Sequence, residues 1–374
     1  ELIKDLFKKW SSLDETHFLI ETVSGGITNL CSGNGIAVLK ASIREEKGND
    51  ASLTVRLYGP NTDFVIDRKR ELKAIRYLSS AGFGAKLLGL FANGMVQSFI
   101  DARTLSPPDM SKPKLAAKIA RELRKFHQVE IPGSKEPQLW NDIFKFLDKG
   151  YFSITMINSF GTAGAIKFDD IEKQTRYESI SFEEIHNEIT QLKDLTDLLD
   201  APVVFCHNDL LSGNLMLNDD EGQFLPLFFM KFFVYLYCNF LLSDKLYLID
   251  FEYGSYNYRG YDIANHFNEY AGFECDYNLY PDNVSQYHFF RNYLQPEMPE
   301  KVTDRDLEAL YVETNTFMLA SHIYWAIWAL IQAKVSPIEF DYLGYFFLRY
   351  NEYKTQKEQC FSVAQRYLSV SGLG

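Results

Sequence analysis

The chain has 374 residues, is 46% hydrophobic and 24% charged, and carries a formal net charge of −12. That is enough apolar sequence for one large bilobal domain or two smaller ones, and the acidic balance excludes a surface built to hold nucleic acid. Five cysteines (Cys31, Cys206, Cys238, Cys275 and Cys360), odd in number and without C-x-x-C spacing, favour free thiols in a reducing compartment and hence a cytoplasmic protein.

At the N-terminus, Glu1–Trp10 reads as an amphipathic helix rather than a signal peptide, which needs a longer apolar centre. Phe18–Val23 is strand-like and runs into Ser24-Gly25-Gly26-Ile27-Thr28-Asn29, a flexible turn suited to bringing backbone amides up to phosphates. It is neither a Walker loop nor G-x-G-x-x-G, so alone it says no more than a hairpin turn. Leu53–Tyr58 alternates as a half-buried strand, and its Arg56 either meets nucleotide phosphates or is a solvated strand arginine. Asp67–Leu78 reads as a charged amphipathic helix, with Glu71 either a partner for Arg56 or a surface residue. Gly94–Ile100 reads as a short apolar strand. Lys114–Gln128 reads as a helix with Leu115, Ile119, Leu123 and Phe126 on its core side.

The middle of the chain carries the chemistry. His207 to Asn214 spells H-x-D-x-x-x-x-N, and Asp250-Phe251-Glu252 follows as D-F-E. Phosphoryl transfer needs a carboxylate to take the proton of the attacking hydroxyl and ligands that hold Mg²⁺ on the nucleotide phosphates. Asp209 fits the first role, and Asn214 and Asp250 fit the second. The apolar stretches before each motif read as strands that bring the three side chains to one edge. The plainer alternative is two strand-to-turn junctions with polar caps. Motif order and a shared mechanism favour a kinase-like protein.

Between the two motifs lies Gly222–Asp244, almost continuously apolar from Phe224 to Leu242. Its length approaches that of a membrane span. A single crossing, however, would part Asn214 from Asp250, and Pro226, Lys231 and Asn239 interrupt the run, so no stable span is expected. Without the segment, Asn218–Glu221 meets Lys245–Leu248 as a hairpin. The segment therefore reads as a retained intron or gene-model error, and shorter stretches near Cys31–Val38 and Gly150–Gly164 read similarly.

In the last third, Tyr256–Asp262 leads into a helical stretch with His266 and Glu269, and Ala320–Trp328 is helical in pattern. Trp325 and Trp328 are three apart and share a helix face; Tyr345 follows in Asp341–Tyr350. An ammonium ion calls for aromatic faces and a carboxylate, and Trp325, Trp328, Tyr345 and Glu269 are those types. Indoles at helical spacing more often pack a core.

The stretches His207–Asn214, Ile249–Tyr253, Tyr256–Asp262, Asn265–Phe267, Val55–Gly59 and Ala320–His322 together resemble the choline/ethanolamine kinase family. The likeness runs over nearly the whole chain, and Val23–Leu30 and Tyr58–Asp63 are similar to the plant-type ethanolamine kinases. The resemblance implies an α+β, protein-kinase-like bilobal fold. Its small β-rich N-lobe (1–100) would bind nucleotide, and its large, mostly helical C-lobe (101–374) would hold the catalytic residues and the amine. It implies ATP and Mg²⁺, and phosphorylation of a small amino alcohol, with ethanolamine giving phosphoethanolamine at the start of phosphatidylethanolamine synthesis. By matching positions, it makes Asp209 the base and Asn214 and Asp250 the metal ligands. It places Arg56 on the phosphates beside Glu71, and Gln97 to Phe99 at the adenine. Ser24, Gly25, Gly26, Thr28 and Asn29 would cover the phosphates, and Glu269, Trp325, Trp328 and Tyr345 would surround the amine. Choline is the alternative substrate, since carboxylates and aromatics serve primary and trimethylated ammonium alike. An aminoglycoside-type phosphotransferase, which would not require the tryptophans, and a non-catalytic splice variant disrupted by its insertions are the other readings. A homodimer is left open.

Overall fold

The computed structural model describes residues 1–23, 37–45, 50–152, 168, 170–218 and 245–371. The predicted N-terminal helix is shorter than expected. Helix α1 spans only Leu2–Leu6, Phe7 leaves helical backbone at φ −126°, and a 3₁₀ turn, Lys8–Trp10, follows. The break drops Trp10 into the core, where its Nε1 donates to Glu45 Oε1 at 2.8 Å. Strands β1 (Phe18–Thr22), β2 (Ala37–Ile43), β3 (Ala51–Leu57), β4 (Leu87–Phe91) and β5 (Gly94–Ser98) form one antiparallel sheet in the order β1-β2-β3-β5-β4. Side chains alternate across a strand, so Leu53 and Val55 pack with Trp10, Ile43 and Val96 on one face. Arg56 is left to the other. Helix α2 (Arg68–Ser80) starts where the Asp67 carboxylate accepts from the amides of Lys69 and Arg70, an N-cap that ends the preceding loop.

The larger lobe begins with β6 (Arg103–Thr104), α3 (Pro107–Met110) and α4 (Pro113–Phe126). In α4, Ile119, Leu123 and Phe126 are buried as predicted; Leu115 is half-buried, and Ala116 and Ala120 complete the core face. Helices α5 (Leu139–Phe152), α6 (Ile171–Glu178) and α7 (Phe182–Asp197) lead to β7 (Val203–Cys206), β8 (Leu215–Asn218), β9 (Lys245–Leu248) and β10 (Ser255–Tyr258). Then come α8 (Arg259–Asn268), α9 (Asn283–Leu294), α10 (Asp304–Val335) and α11 (Tyr342–Ser371). Helix α10 is long and apolar enough to cross a membrane, but 83% of its most apolar window is buried inside the protein. It is the central core helix of this lobe, packed against α5, α8 and α11. Cys206, Cys275 and Cys360 are free and buried.

The candidate phosphate-covering residues Ser24, Gly25, Gly26, Thr28 and Asn29 lie outside the described residues, as do Gly222–Asp244 and most of the two shorter stretches. Their flanks are described. The Val23 amide donates to the Val38 carbonyl at 2.8 Å, extending the β1–β2 pairing by one bond. Strands β8 and β9 pair antiparallel from Leu215↔Leu248 to Asn218↔Lys245, as the sequence reading without the segment expects.

One buried carboxylate fixes the turn after β7. Asp262, at the start of α8, accepts from the amides of His207 (2.8 Å) and Asn208 (2.7 Å) and from His127 Nε2 (2.8 Å). His127 Nδ1 in turn meets the Tyr293 hydroxyl at 2.7 Å. Burial opposes ionisation of Asp262, but the His127 bond, with the nearby imidazoles and amide donors, outweighs it and holds the carboxyl below the usual range. Asn208 sits at φ 64°, in the left-handed region that asparagine tolerates better than most residues. Its side chain donates to the Tyr253 carbonyl and the Ser255 hydroxyl, both at 2.9 Å.

Two outcomes follow from this frame. Joining Glu221 directly to Lys245 preserves every described β8–β9 pair and shortens the connection by about three halvings, each worth about 0.6 kcal/mol of closure entropy. Thermal unfolding of the shortened chain is expected to show an equal or higher Tm, and loss of cooperative unfolding would mean the segment is a structural element. Asp262→Asn leaves one acceptor oxygen facing three donors and is expected to cost about 3–5 kcal/mol at pH 7. Because the folded pKa is depressed, that contribution is present above the ordinary aspartate value of about 3.9 and is lost as pH falls through the folded value. The Tm gap should therefore narrow only below about pH 4, and equal Tm values at pH 7 would contradict the assignment.

Candidate active site

Two chain-distant motifs meet because the β8–β9 hairpin brings them together. The Ile249 amide donates to the Asn214 carbonyl at 3.0 Å, one step beyond the last ladder pair, so Asn214 and Asp250 emerge side by side. His207 ties in the other strand, its Nε2 lying 2.8 Å from the Ile249 carbonyl. Asp250, like Asn208, adopts φ 64°. Asn214 Nδ2 donates to the backbone carbonyl of Asp209 (2.8 Å) and to its Oδ2 (3.1 Å), leaving the amide oxygen as the group Asn214 offers. Asn214 and Asp250 thus present hard oxygen donors of the kind Mg²⁺ takes when it shares its shell with phosphates.

Asp209, Asn214 and Asp250 line one cavity of about 90 Å³ together with Glu269, Trp325, Trp328 and Tyr345. The carboxylate end and the aromatic end predicted separately are thus one site. Burial raises the Asp209 pKa well above the usual carboxylate range; repulsion from Glu269, Asp250 and Glu252 adds to this, and the Asn214 bond only partly opposes it. A cation entering the cavity would pull it back down.

Arg56 is buried and bonds Asp250 Oδ1 at 2.6 Å and Glu252, with Glu71 Oε1 at 3.7 Å. The expected Arg56–Glu71 pair is therefore present but weaker than the others. Glu71 is held more closely by Arg68 at 2.6 Å, and Arg68 also lies over the Tyr58 ring. Burial disfavours the Arg56 charge, but Asp250, Glu252 and Glu71 outweigh it and keep the guanidinium firmly protonated. The Glu252 pKa is raised too, which for a carboxyl favours the neutral form. Burial and the Asp250 charge push its pKa up despite Arg56, because three carboxylates compete for the same guanidinium groups.

At the aromatic end, Trp325 and Trp328 stand edge to face with centroids 5.3 Å apart. Trp325 Nε1 donates to Asn265 Oδ1 (2.7 Å) and Trp328 Nε1 to the Tyr253 hydroxyl (2.9 Å). Both serve the core as well as the cavity: Trp325 is 6% exposed, while Trp328 is only partly buried. Glu269 is paired with Arg349, whose Nη1 lies 3.2 Å from Oε1 and 3.3 Å from the Tyr345 hydroxyl. Burial raises the Glu269 pKa, and Arg349 opposes this.

Gln97 and Phe99 are not among the residues lining that cavity. They lie at the end of β5 and just beyond it, Gln97 opposite Thr54 in the ladder and Phe99 with Lys40 Nζ 4.4 Å above its ring. This is where the chain leaves the sheet for β6, which pairs with β8. Sequence reasoning gave no role to Glu252, Tyr253, Asp262, His127 or Arg349. Arg349 had a signal, since it stands four residues after Tyr345 on one helix; His127 had none.

Comparison with known proteins places the chain among its relatives. A family model described as choline/ethanolamine kinase matches residues 20–354. A probable ethanolamine kinase of Arabidopsis thaliana is 58% identical over 371 residues, covering 99% of this chain and 88% of that protein. Ethanolamine kinase 1 of Mus musculus is 34% identical, covering 96% and 88%. Among solved structures, a Plasmodium vivax ethanolamine kinase superposes with a TM-score of 0.74 at 28% identity, covering 92% of this chain and 84% of that one. The family match over most of the chain and the relatives at 58% and 34% identity show that the chain belongs to the choline/ethanolamine kinase family.

Proposed function

We propose that this protein is an ethanolamine kinase, transferring the γ-phosphoryl group of ATP to the hydroxyl of ethanolamine at the start of phosphatidylethanolamine synthesis. The observation that carries the reading is the single cavity in which Asp209, Asn214 and Asp250 face Glu269, Trp325, Trp328 and Tyr345. Only a substrate with a hydroxyl and an ammonium group a few bonds apart uses both ends at once. The similarity to the Arabidopsis and mouse proteins supports ethanolamine as that substrate.

In this reading the lobes divide near residue 100, nucleotide enters along β3 and β5, and Gln97 and Phe99 meet the adenine. Asp209 accepts the hydroxyl proton as the substrate oxygen bonds to the γ-phosphorus and the bond from that phosphorus to the β,γ-bridging oxygen breaks, leaving ADP. Asn214 and Asp250 would hold Mg²⁺, which supplies charge neutralisation for the phosphates when bound. Arg56 exchanges part of its hold on Asp250 for a phosphate oxygen. Glu269 accepts from the ammonium N–H groups, and Trp325, Trp328 and Tyr345 supply faces worth about 0.5–2 kcal/mol each. Choline would use the same faces but bring Glu269 no N–H donor beyond that of Arg349.

Asp209→Asn, assayed with Mg²⁺-ATP on ethanolamine and choline, is expected to lose roughly 10²–10⁴-fold in kcat while keeping its ATP KM. Because the Asp209 pKa is raised, the active carboxylate is populated only as pH climbs past that value. The acid limb of kcat/KM should therefore lie above the ordinary range of about 3.9 and disappear in the variant. Unchanged turnover in Asp209→Asn would remove Asp209 from the reaction, and faster turnover of choline would reassign the substrate.

A further inference from the structure

Helix α8 grips the turn that carries Asp209 from both sides. Its Asp262 takes the amides of His207 and Asn208, and its His266 Nδ1 lies 2.8 Å from the Leu210 carbonyl. Asn265, between them on the helix, donates from Nδ2 to the Asn208 carbonyl at 3.2 Å. The same side chain also reaches the amine end. Its Oδ1 accepts from Trp325 Nε1 (2.7 Å) and from the Ser321 hydroxyl (2.8 Å), two groups four residues apart on one face of α10. The Ser321 oxygen accepts in turn from Arg349 Nη2 (3.0 Å), while Nη1 of the same guanidinium bonds Glu269 and Tyr345.

The end bonds of this chain can run in one direction only. An indole and a guanidinium donate, and a backbone carbonyl accepts. Trp325 therefore faces the Asn265 oxygen, the Asn208 carbonyl faces its nitrogen, and the Ser321 hydroxyl, having accepted from Arg349, gives its own proton to Asn265. Asn265 and Ser321 are fully buried, so water does not stand in for a lost partner. Aspartate, of the same size, would set an oxygen against the Asn208 carbonyl. Three of the four groups proposed for the amine, Trp325, Glu269 and Tyr345, thus converge on one buried amide that also holds the backbone next to Asp209. Asn265 is not among the residues lining the cavity and acts only through these neighbours.

We propose that Asn265 is a positioning residue that fixes the separation between the amine wall and the proton acceptor, and so selects how many bonds part the ammonium from the hydroxyl of the substrate. The inference rests on the amino-alcohol kinase reading above. Two carbons part the groups in ethanolamine and three in 3-amino-1-propanol, so on a rigid frame the longer molecule cannot seat both ends at once. A loosened frame aligns ethanolamine less well with Asp209 and relieves the longer molecule.

The test assays the full chain with Mg²⁺-ATP on ethanolamine and 3-amino-1-propanol and reads the ratio of their kcat/KM values. The parent chain is expected to favour ethanolamine. In Asn265→Ala that ratio is expected to fall at least about tenfold with ATP KM unchanged, since a misplacement of about 1 Å can cost roughly 10²-fold. A merely structural role lowers the amount of active enzyme, which scales both substrates alike and leaves the ratio where it was. Trp325→Phe keeps an aromatic face but removes the N–H, cutting the same link from the amine side, and carries the test should Asn265→Ala fail to fold. Its ratio should fall in the same direction, and the double variant should fall no further than Asn265→Ala alone. A parent without preference, an unchanged ratio in the folded variant, or a double variant in which the two falls multiply would overturn the inference and leave the proposed activity standing. A parent chain that phosphorylates neither amino alcohol would overturn the proposed activity, and the inference with it.

Discussion

Crowded carboxylates govern this site. Asp209, Asp250, Glu252 and Glu269 all line one small cavity, and Arg56 and Arg349 hold three of them from behind. Like charges in a buried space lack the high-dielectric solvent that screens them in water. Burial and mutual repulsion accordingly raise the Asp209 pKa. Such a cavity is at its least comfortable without cations, and on the proposed reading two kinds relieve it, a metal at the Asn214–Asp250 end and an ammonium at the Glu269 end. The same crowding acts on Asp209, which the proposed reaction makes the proton acceptor: cations entering the cavity would lower the pKa that burial and its neighbours raise.

Crowding of this kind needs a rigid frame, and the frame is made of hydrogen bonds rather than loops. Asp262 holds the backbone of His207 and Asn208, and Asn208 holds Tyr253 and Ser255. His207 reaches the Ile249 carbonyl. Asn208 and Asp250, in left-handed backbone on either side, turn the chain sharply enough to aim Asp209 and Asp250 inward. Both motifs are therefore held by reciprocal bonds between strands, and the hairpin pairing of Asn218 with Lys245 supplies the register.

What could be read from the residues was local. The H-x-D-x-x-x-x-N and D-F-E spacings identify Asp209, Asn214 and Asp250, and helical periodicity puts Trp325 and Trp328 on one face. Alternation in β3 separates Arg56 from Leu53 and Val55. What could not be read is which distant partners answer these groups. Glu252 looked like the end of a motif and is a partner of Arg56; Glu269 looked like a free countercharge and is shared with Arg349. His127 reaches Asp262 across 135 residues, and no local pattern encodes such a contact. The break of the N-terminal helix at Phe7 was missed because a period of apolar residues does not reveal that Trp10 finds a better partner in Glu45.

The central claim is that the aromatic–carboxylate end of the cavity binds the amine of the same molecule whose hydroxyl faces Asp209. The most direct measurement compares Trp328→Ala with the parent chain in ethanolamine KM, ATP KM and Tm. Loss of one cation–π face worth about 0.5–2 kcal/mol predicts an ethanolamine KM raised roughly 2- to 30-fold with ATP KM unchanged. A variant that unfolds earlier but keeps its ethanolamine KM would contradict the claim and return Trp328 to the hydrophobic core.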